Sequence, residues 1–148
     1  MTFGAKPMNH SECVRELIAI GKGLGFYATG RSYGKMYHMG NPDCVWYYKG
    51  PAERAMQKIA KGDRYKYLPV IAFEVASSER EKNLRGTLVT LQLTNAAASI
   101  VILLGESVEY KQYLRKLVGR YSNIRYRIWT ERDVDQLKSL AKNNSPLR

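Results

Sequence analysis

Two carboxylates stand where apolar surroundings make charge costly. Glu74 interrupts the run Val70, Ile71, Phe73 and Val75, whose apolar, β-branched character suits a strand buried on both faces. Asp43 follows Asn41 and Pro42 and opens a second apolar segment, Cys44, Val45, Trp46, Tyr47 and Tyr48. Desolvating an unpaired carboxylate costs several kcal/mol, so each should lie near the open end of its strand and face a cation. That cation is either a basic side chain or a metal. One ion shared by both would be a hard divalent cation, Mg2+ or Mn2+, which takes carboxylate and carbonyl oxygens in a partly hydrated site. Separate pairing of each carboxylate with an arginine is the plainer alternative.

Other residues of chemical interest carry less. Cys13 and Cys44 are the only cysteines, and they lack the paired spacing of zinc sites or disulfide frameworks, so buried free thiols are expected. His10 and His38 stand far apart, without a nearby ligand set. Gly21, Gly23 and Gly25 alternate as in some phosphate loops, but they follow a helix instead of opening one, so no row of free N–H groups is aimed at an anion.

The elements that must position the carboxylates can be read in order. Val14, Leu17, Ile18 and Gly21 recur at helical spacing, with Glu12 and Glu16 in the first turns, and the glycines are expected to stop that helix. Residues 26–29 read as a strand, 30–40 as a loop or hairpin, 44–48 as a strand, and 51–60 as a short helix with Pro51 in its first turn. Residues 68–76 form the central strand. Ser78 and Glu81 have capping-box spacing for a helix that continues to about Asn95. A buried strand over 99–104, a helix over 108–118, a strand over 124–129 and a last helix capped at Thr130 complete the chain. This order defines an α/β protein, a single domain over 1–148 with a central mixed β-sheet flanked by helices; residues 1–9 read as a loose arm and 143–148 as a loose tail. Ligands of open α/β sheets gather at the carboxyl ends of strands, which is where Glu74 falls.

Pro42-Asp43, a hydrophobic strand, and then Phe73-Glu74-Val75 opening into a helix resemble the core of the PD-(D/E)XK nuclease superfamily, which includes many restriction enzymes and archaeal junction resolvases. The resemblance spans most of the chain, residues 10–105, and implies a restriction-endonuclease-like fold. It implies that Asp43, Glu74 and the backbone carbonyl of Val75 hold Mg2+ or Mn2+, and that Glu12, or else Glu16, comes to the metal from the first helix. The family's lysine two residues beyond the glutamate is here Ala76. Lys49 lies about 20 Å along the strand from Asp43, out of reach. Lys82, a rise of roughly 6 Å into the helix that starts at Ser78, can reach back to the site. Arg80 and Arg85 lie nearby but stay protonated, so they can stabilise charge without moving a proton. The expected function is a metal-dependent endonuclease hydrolysing DNA phosphodiester bonds. The alternatives are a catalytically silent nucleic-acid-binding or assembly module on the same fold, or an unrelated basic α/β protein that binds RNA or ribosomes.

Charge bears on the partner. The 148 residues carry 24 Lys and Arg against 13 Asp and Glu, a net charge of +11, and such an excess favours a polyanion, with DNA ahead of RNA. Arg31, Tyr33 and Lys35 lie in a stretch without acids between Glu16 and Asp43. Lys111, Arg115, Lys116, Arg120, Arg125 and Arg127 form a second, with Tyr113, Tyr121 and Tyr126 among them; basic side chains suit phosphates and tyrosines can stack on bases. Cutting both strands with one site per chain points to a homodimer. The longest apolar run is too short to span a bilayer and no export signal is visible, so a cytoplasmic protein with no membrane partner is expected.

Overall fold

The computed structural model describes residues 8–30, 41–59, 68–77, 81–119 and 125–143. Five strands form one mixed sheet in chain order: β1 (Tyr27–Gly30), β2 (Cys44–Tyr47), β3 (Pro69–Ala76), β4 (Ala98–Leu103) and β5 (Tyr126–Thr130). The pairs β1/β2 and β2/β3 are antiparallel, and β3/β4 and β4/β5 are parallel. The helices are α1 (His10–Gly23), α2 (Glu53–Ile59), α3 (Glu81–Thr94), α4 (Lys111–Val118) and α5 (Glu131–Asn143).

Handedness distributes them. The passages β3-α3-β4 and β4-α4-β5 step across the sheet in the same direction, so right-handed crossovers put α3 and α4 on one face. There Leu84, Leu88, Leu91, Leu114 and Leu117 pack on Val45, Tyr47, Ala72, Ala76, Val101 and Leu103. The opposite face is left for α1 and α5: Cys13, Leu17, Ile20, Val134 and Ala141 pack there on Cys44, Trp46, Phe73, Val75, Ile100 and Ile102. Alternation along β2 and β3 sends neighbouring residues to opposite cores, which is why Phe73 and Val75 serve one layer and Ala72 and Ala76 the other.

The α1 helix ends at Gly23, within the group of glycines expected to stop it, and Gly21 has a further role. Gly21 is buried, and a Cβ there would fall 2.7 Å from Trp46 Cδ1 and Cε2, while the Trp46 indole N–H donates to Leu17 O at 3.0 Å. Gly21 is therefore a seat for the indole ring, and the turn itself falls at Gly25, whose φ of +96° suits glycine. Trp46 also stacks on Phe26 (5.3 Å between centroids) and tilts against Phe73 (4.8 Å), so one tryptophan ties α1, the start of β1, β2 and β3 together.

The helix expected over 108–118 is two pieces. A 3-10 turn over Gly105–Tyr110 precedes α4; Gly105 at φ +53° turns the chain out of β4, and Ser107 N–H bonds back to Leu104 O. The arm expected over 1–9 is tied down at its end. Asn9 caps α1 by accepting the Glu12 N–H (2.8 Å), and Met8 N–H donates to Glu131 Oε1 (3.0 Å). Thr130 and Asp133 start α5, with the Thr130 N–H donating to Asp133 Oδ2 at 2.8 Å. Among the described residues, no helix is long and apolar enough to cross a membrane.

Candidate functional site

Asp43 immediately precedes β2 and Glu74 lies two residues from the end of β3. Cys44 pairs with Phe73, so one further step of antiparallel register sets Asp43 opposite Glu74, and directly opposed residues share a sheet face. Both residues are buried, at 5% and 7% exposure, and strand alternation sends Glu74 to the α3/α4 side. They are tied reciprocally through the backbone: Asp43 N–H donates to Glu74 Oε1 (2.9 Å), and Val75 N–H donates to Asp43 Oδ2 (2.8 Å). Charge-assisted bonds of this kind offset part of the cost of desolvating a carboxylate.

A third group arrives from α1. His10 Nε2 lies 3.2 Å from Asp43 Oδ2, with the imidazole 41% exposed and the aspartate side chain 6%. The Asn9 cap fixes His10 in the first turn of α1, and Cys13, Leu17 and Gly21 follow it at helical spacing into the core. The cysteines are inert neighbours. Burial pushes the Cys13 thiol up to about 12, with Glu131, Asp43 and Glu16 adding to it, and burial likewise pushes Cys44 up to about 12 against a hydrogen bond from Trp46.

The first helix presents His10, not Glu12, to Asp43. Two residues on from His10, Glu12 lies about 200° around the helix, where it lines a shallow cleft with Met8, Arg15, Glu16 and Ala19. Glu16 pairs with Lys138 at 3.1 Å. Lys49 is at the far end of β2, its ammonium 4.8 Å from the Tyr27 ring centre. Lys82 falls in the first turn of α3; its side chain, like Arg31, Tyr33, Lys35 and Arg80, lies outside the described residues. Ala76 is 1% exposed among the leucines of the α3/α4 core.

The basic run is divided by the fold. Lys111 and Arg115 lie on α4, and Arg115 and Lys116 are exposed. Arg125 and Arg127 belong by strand alternation with Trp129 on the α1/α5 side, Arg127 pairing with Ile100. The tyrosines expected to stack on bases have other duties: Tyr126 is buried and donates its hydroxyl to Leu88 O (3.2 Å), and Tyr113 Oη accepts from Arg85 Nε (2.8 Å). Tyr121 and Arg120 lie outside the described residues.

Asp43, Glu74 and the Val75 carbonyl are the groups at these strand ends that could hold a hard divalent ion, which takes oxygen ligands and keeps several waters. Among the described residues, no group of three or more His, Cys, Asp or Glu side chains is placed to hold an ion. Comparison with known proteins adds no relative: no family model, no curated protein and no solved structure matches the chain.

Proposed function

We propose that the chain is a metal-dependent endonuclease hydrolysing DNA phosphodiester bonds, on a restriction-endonuclease-like sheet. One observation carries the reading: Asp43 and Glu74, both buried, are tied to one another through the backbone at the ends of adjoining strands in a protein of net charge +11. Asp43, Glu74 and the Val75 carbonyl are the residues that would hold Mg2+ or Mn2+. Such an ion, when bound, polarises the phosphoryl oxygen and acidifies water. The Asp43 N–H fixes the Glu74 carboxylate and the Val75 N–H fixes that of Asp43, so both donors are preset. Lys82 is the candidate for orienting the attacking water, and Lys111, Arg115 and Arg85 are the candidates among the described residues for seating phosphates. A homodimer would supply a second site for the second strand.

The test is cleavage of duplex, junction and single-stranded DNA with Mg2+ or Mn2+ by the wild type, Asp43→Asn and Glu74→Gln. Both variants keep the shape and a hydrogen-bond acceptor while removing the charge, so activity should fall about a hundredfold or more with the fold intact. Wild-type protein that cleaves none of these substrates overturns the reading. The second reading, a catalytically silent nucleic-acid-binding module, is favoured by Ala76, because a methyl group packed among leucines stands where the resemblance implies an amine. DNA binding without cleavage is its signature.

A further inference from the structure

We propose that the outward face of α3 is a homodimer contact, two copies of the chain pairing this helix antiparallel across a two-fold axis; the inference stands apart from the metal chemistry above. The inward face of α3 carries Leu84, Leu88 and Leu91, and Gly86, Val89 and Leu93 fall on the opposite side at helical spacing. An outward helix face is normally polar and charged. Here Val89 is 45% and Leu93 43% exposed, and the sequence has no charged residue from Gly86 to Gly105 in a chain of net charge +11. An apolar stripe of this kind marks a contact surface, as scattered single side chains do not. Gly86 is a second observation. Glycine in a helix interior is less stable than alanine, yet among the described residues nothing lies within 4 Å of where its Cβ would be, so packing there gives no reason for it.

The stripe is complementary to itself. Gly86 and Leu93 stand two turns apart, about 10.5 Å, with Val89 between them. A two-fold axis crossing α3 beside Val89 sets Leu93 of one copy over Gly86 of the other, twice, and brings the two Val89 side chains together at the centre. Each leucine then fills the gap that a glycine leaves, in the reciprocal pattern of a closed dimer. Charge selects the same occupant. A polyanion has nothing to hold on an uncharged stripe, whereas two chains of +11 approach with least repulsion where neither presents a charge.

The experiment is sedimentation equilibrium of the full chain at about 50 and 500 mM NaCl, for wild type, Val89→Lys, Val89→Glu, an equal mixture of those two, Gly86→Ala, and Gln136→Lys as a control on the exposed side of α5. Wild type should dimerise, and more tightly at the higher salt because the like charge of the two copies is screened, the opposite of the salt dependence expected toward DNA. Each Val89 variant alone should weaken the dimer by about tenfold or more, since like charges meet at the axis, and the mixture should recover it by setting lysine against glutamate. Gly86→Ala covers the case in which a charged variant misfolds: its methyl has open space in the single chain, so it should raise the melting temperature of dilute protein while weakening the dimer by about threefold. Gln136→Lys should match wild type. A wild type that stays monomeric at both salts means that a different partner covers the stripe and overturns the proposal, as do folded Val89 variants that dimerise like wild type. A mixture no more dimeric than its components overturns the two-fold arrangement.

Discussion

The Glu74 carboxylate is the acceptor for the Asp43 N–H, and that bond separates two substitutions that remove the same charge. Glu74→Gln retains an amide oxygen for the N–H. Glu74→Ala leaves a buried donor without this acceptor, which costs about 1–3 kcal/mol. Urea unfolding should therefore rank wild type and Glu74→Gln together and Glu74→Ala below them; equal midpoints for Gln and Ala would mean that the N–H finds another acceptor at no cost. The residue two further along poses a different test. Ala76 shares the face of Glu74 but is 1% exposed within the leucine-rich α3/α4 core, so a lysine there must place a four-carbon stem and an ammonium in a packed apolar layer. Overpacking by itself costs about 1–3 kcal/mol, and an unpaired charge more. Ala76→Lys should melt well below wild type, and a wild-type melting temperature would mean that the new amine reaches Glu74 and is neutralised by it.

Between elements, the contact with least slack is α1 against Trp46. A methyl at Gly21 would meet the indole ring at 2.7 Å, and neither the helix nor a tryptophan held by Leu17 O, Phe26 and Phe73 can retreat cheaply. Gly21→Ala should lose about 1–3 kcal/mol by chemical denaturation in spite of alanine's better helix propensity, and Gly23→Ala, with open space around its Cβ, should gain a little. A stabilised Gly21→Ala would show that the indole shifts freely. The pair also shows what was legible beforehand. Element order followed from periodicity, because a buried strand and an amphipathic helix each leave a local pattern. The two carboxylates were legible as charges inside apolar runs. The glycines were legible as the end of α1, which stops at Gly23, but that Gly21 also admits the Trp46 ring was not, because its partner is distant in sequence and leaves no local pattern. His10 was missed for the same reason, although its spacing to Cys13 and Leu17 places it on the buried face. The 3-10 turn before α4 depends on the positive φ of Gly105, which composition does not reveal.

For the molecule as a whole, the two buried thiols set an alkaline limit. Cys13 and Cys44 hold their protons to about 12 when folded and to about 9 when unfolded, so above pH 9 the unfolded chain binds fewer protons than the folded one and stability falls as pH rises. Each thiol contributes a slope of about 1.4 kcal/mol per pH unit between those values. The urea midpoint should drop between pH 9 and 10.5 in wild type, and by about half as much in Cys13→Ala or Cys44→Ala. The net charge of +11 makes the larger claim, because the fold gives it a direction. Arg115 and Lys116 are exposed on α4, whose leucines belong to the α3/α4 core, while Arg125 and Arg127 belong by strand alternation to the α1/α5 face. DNA received on the α3/α4 side should be held by the α4 cations and hardly touched by the β5 arginines. Affinity for a duplex, measured by fluorescence anisotropy from 50 to 200 mM salt, should fall steeply, with a log–log slope of about −0.9 per phosphate neutralised. Arg115→Ala with Lys116→Ala should flatten that slope by about 1.8, two contacts' worth. The double replacement of Arg125 and Arg127 should leave it nearly unchanged. Equal flattening by the two pairs would mean that the charge acts as a diffuse field around the whole protein, and that no one face receives the nucleic acid.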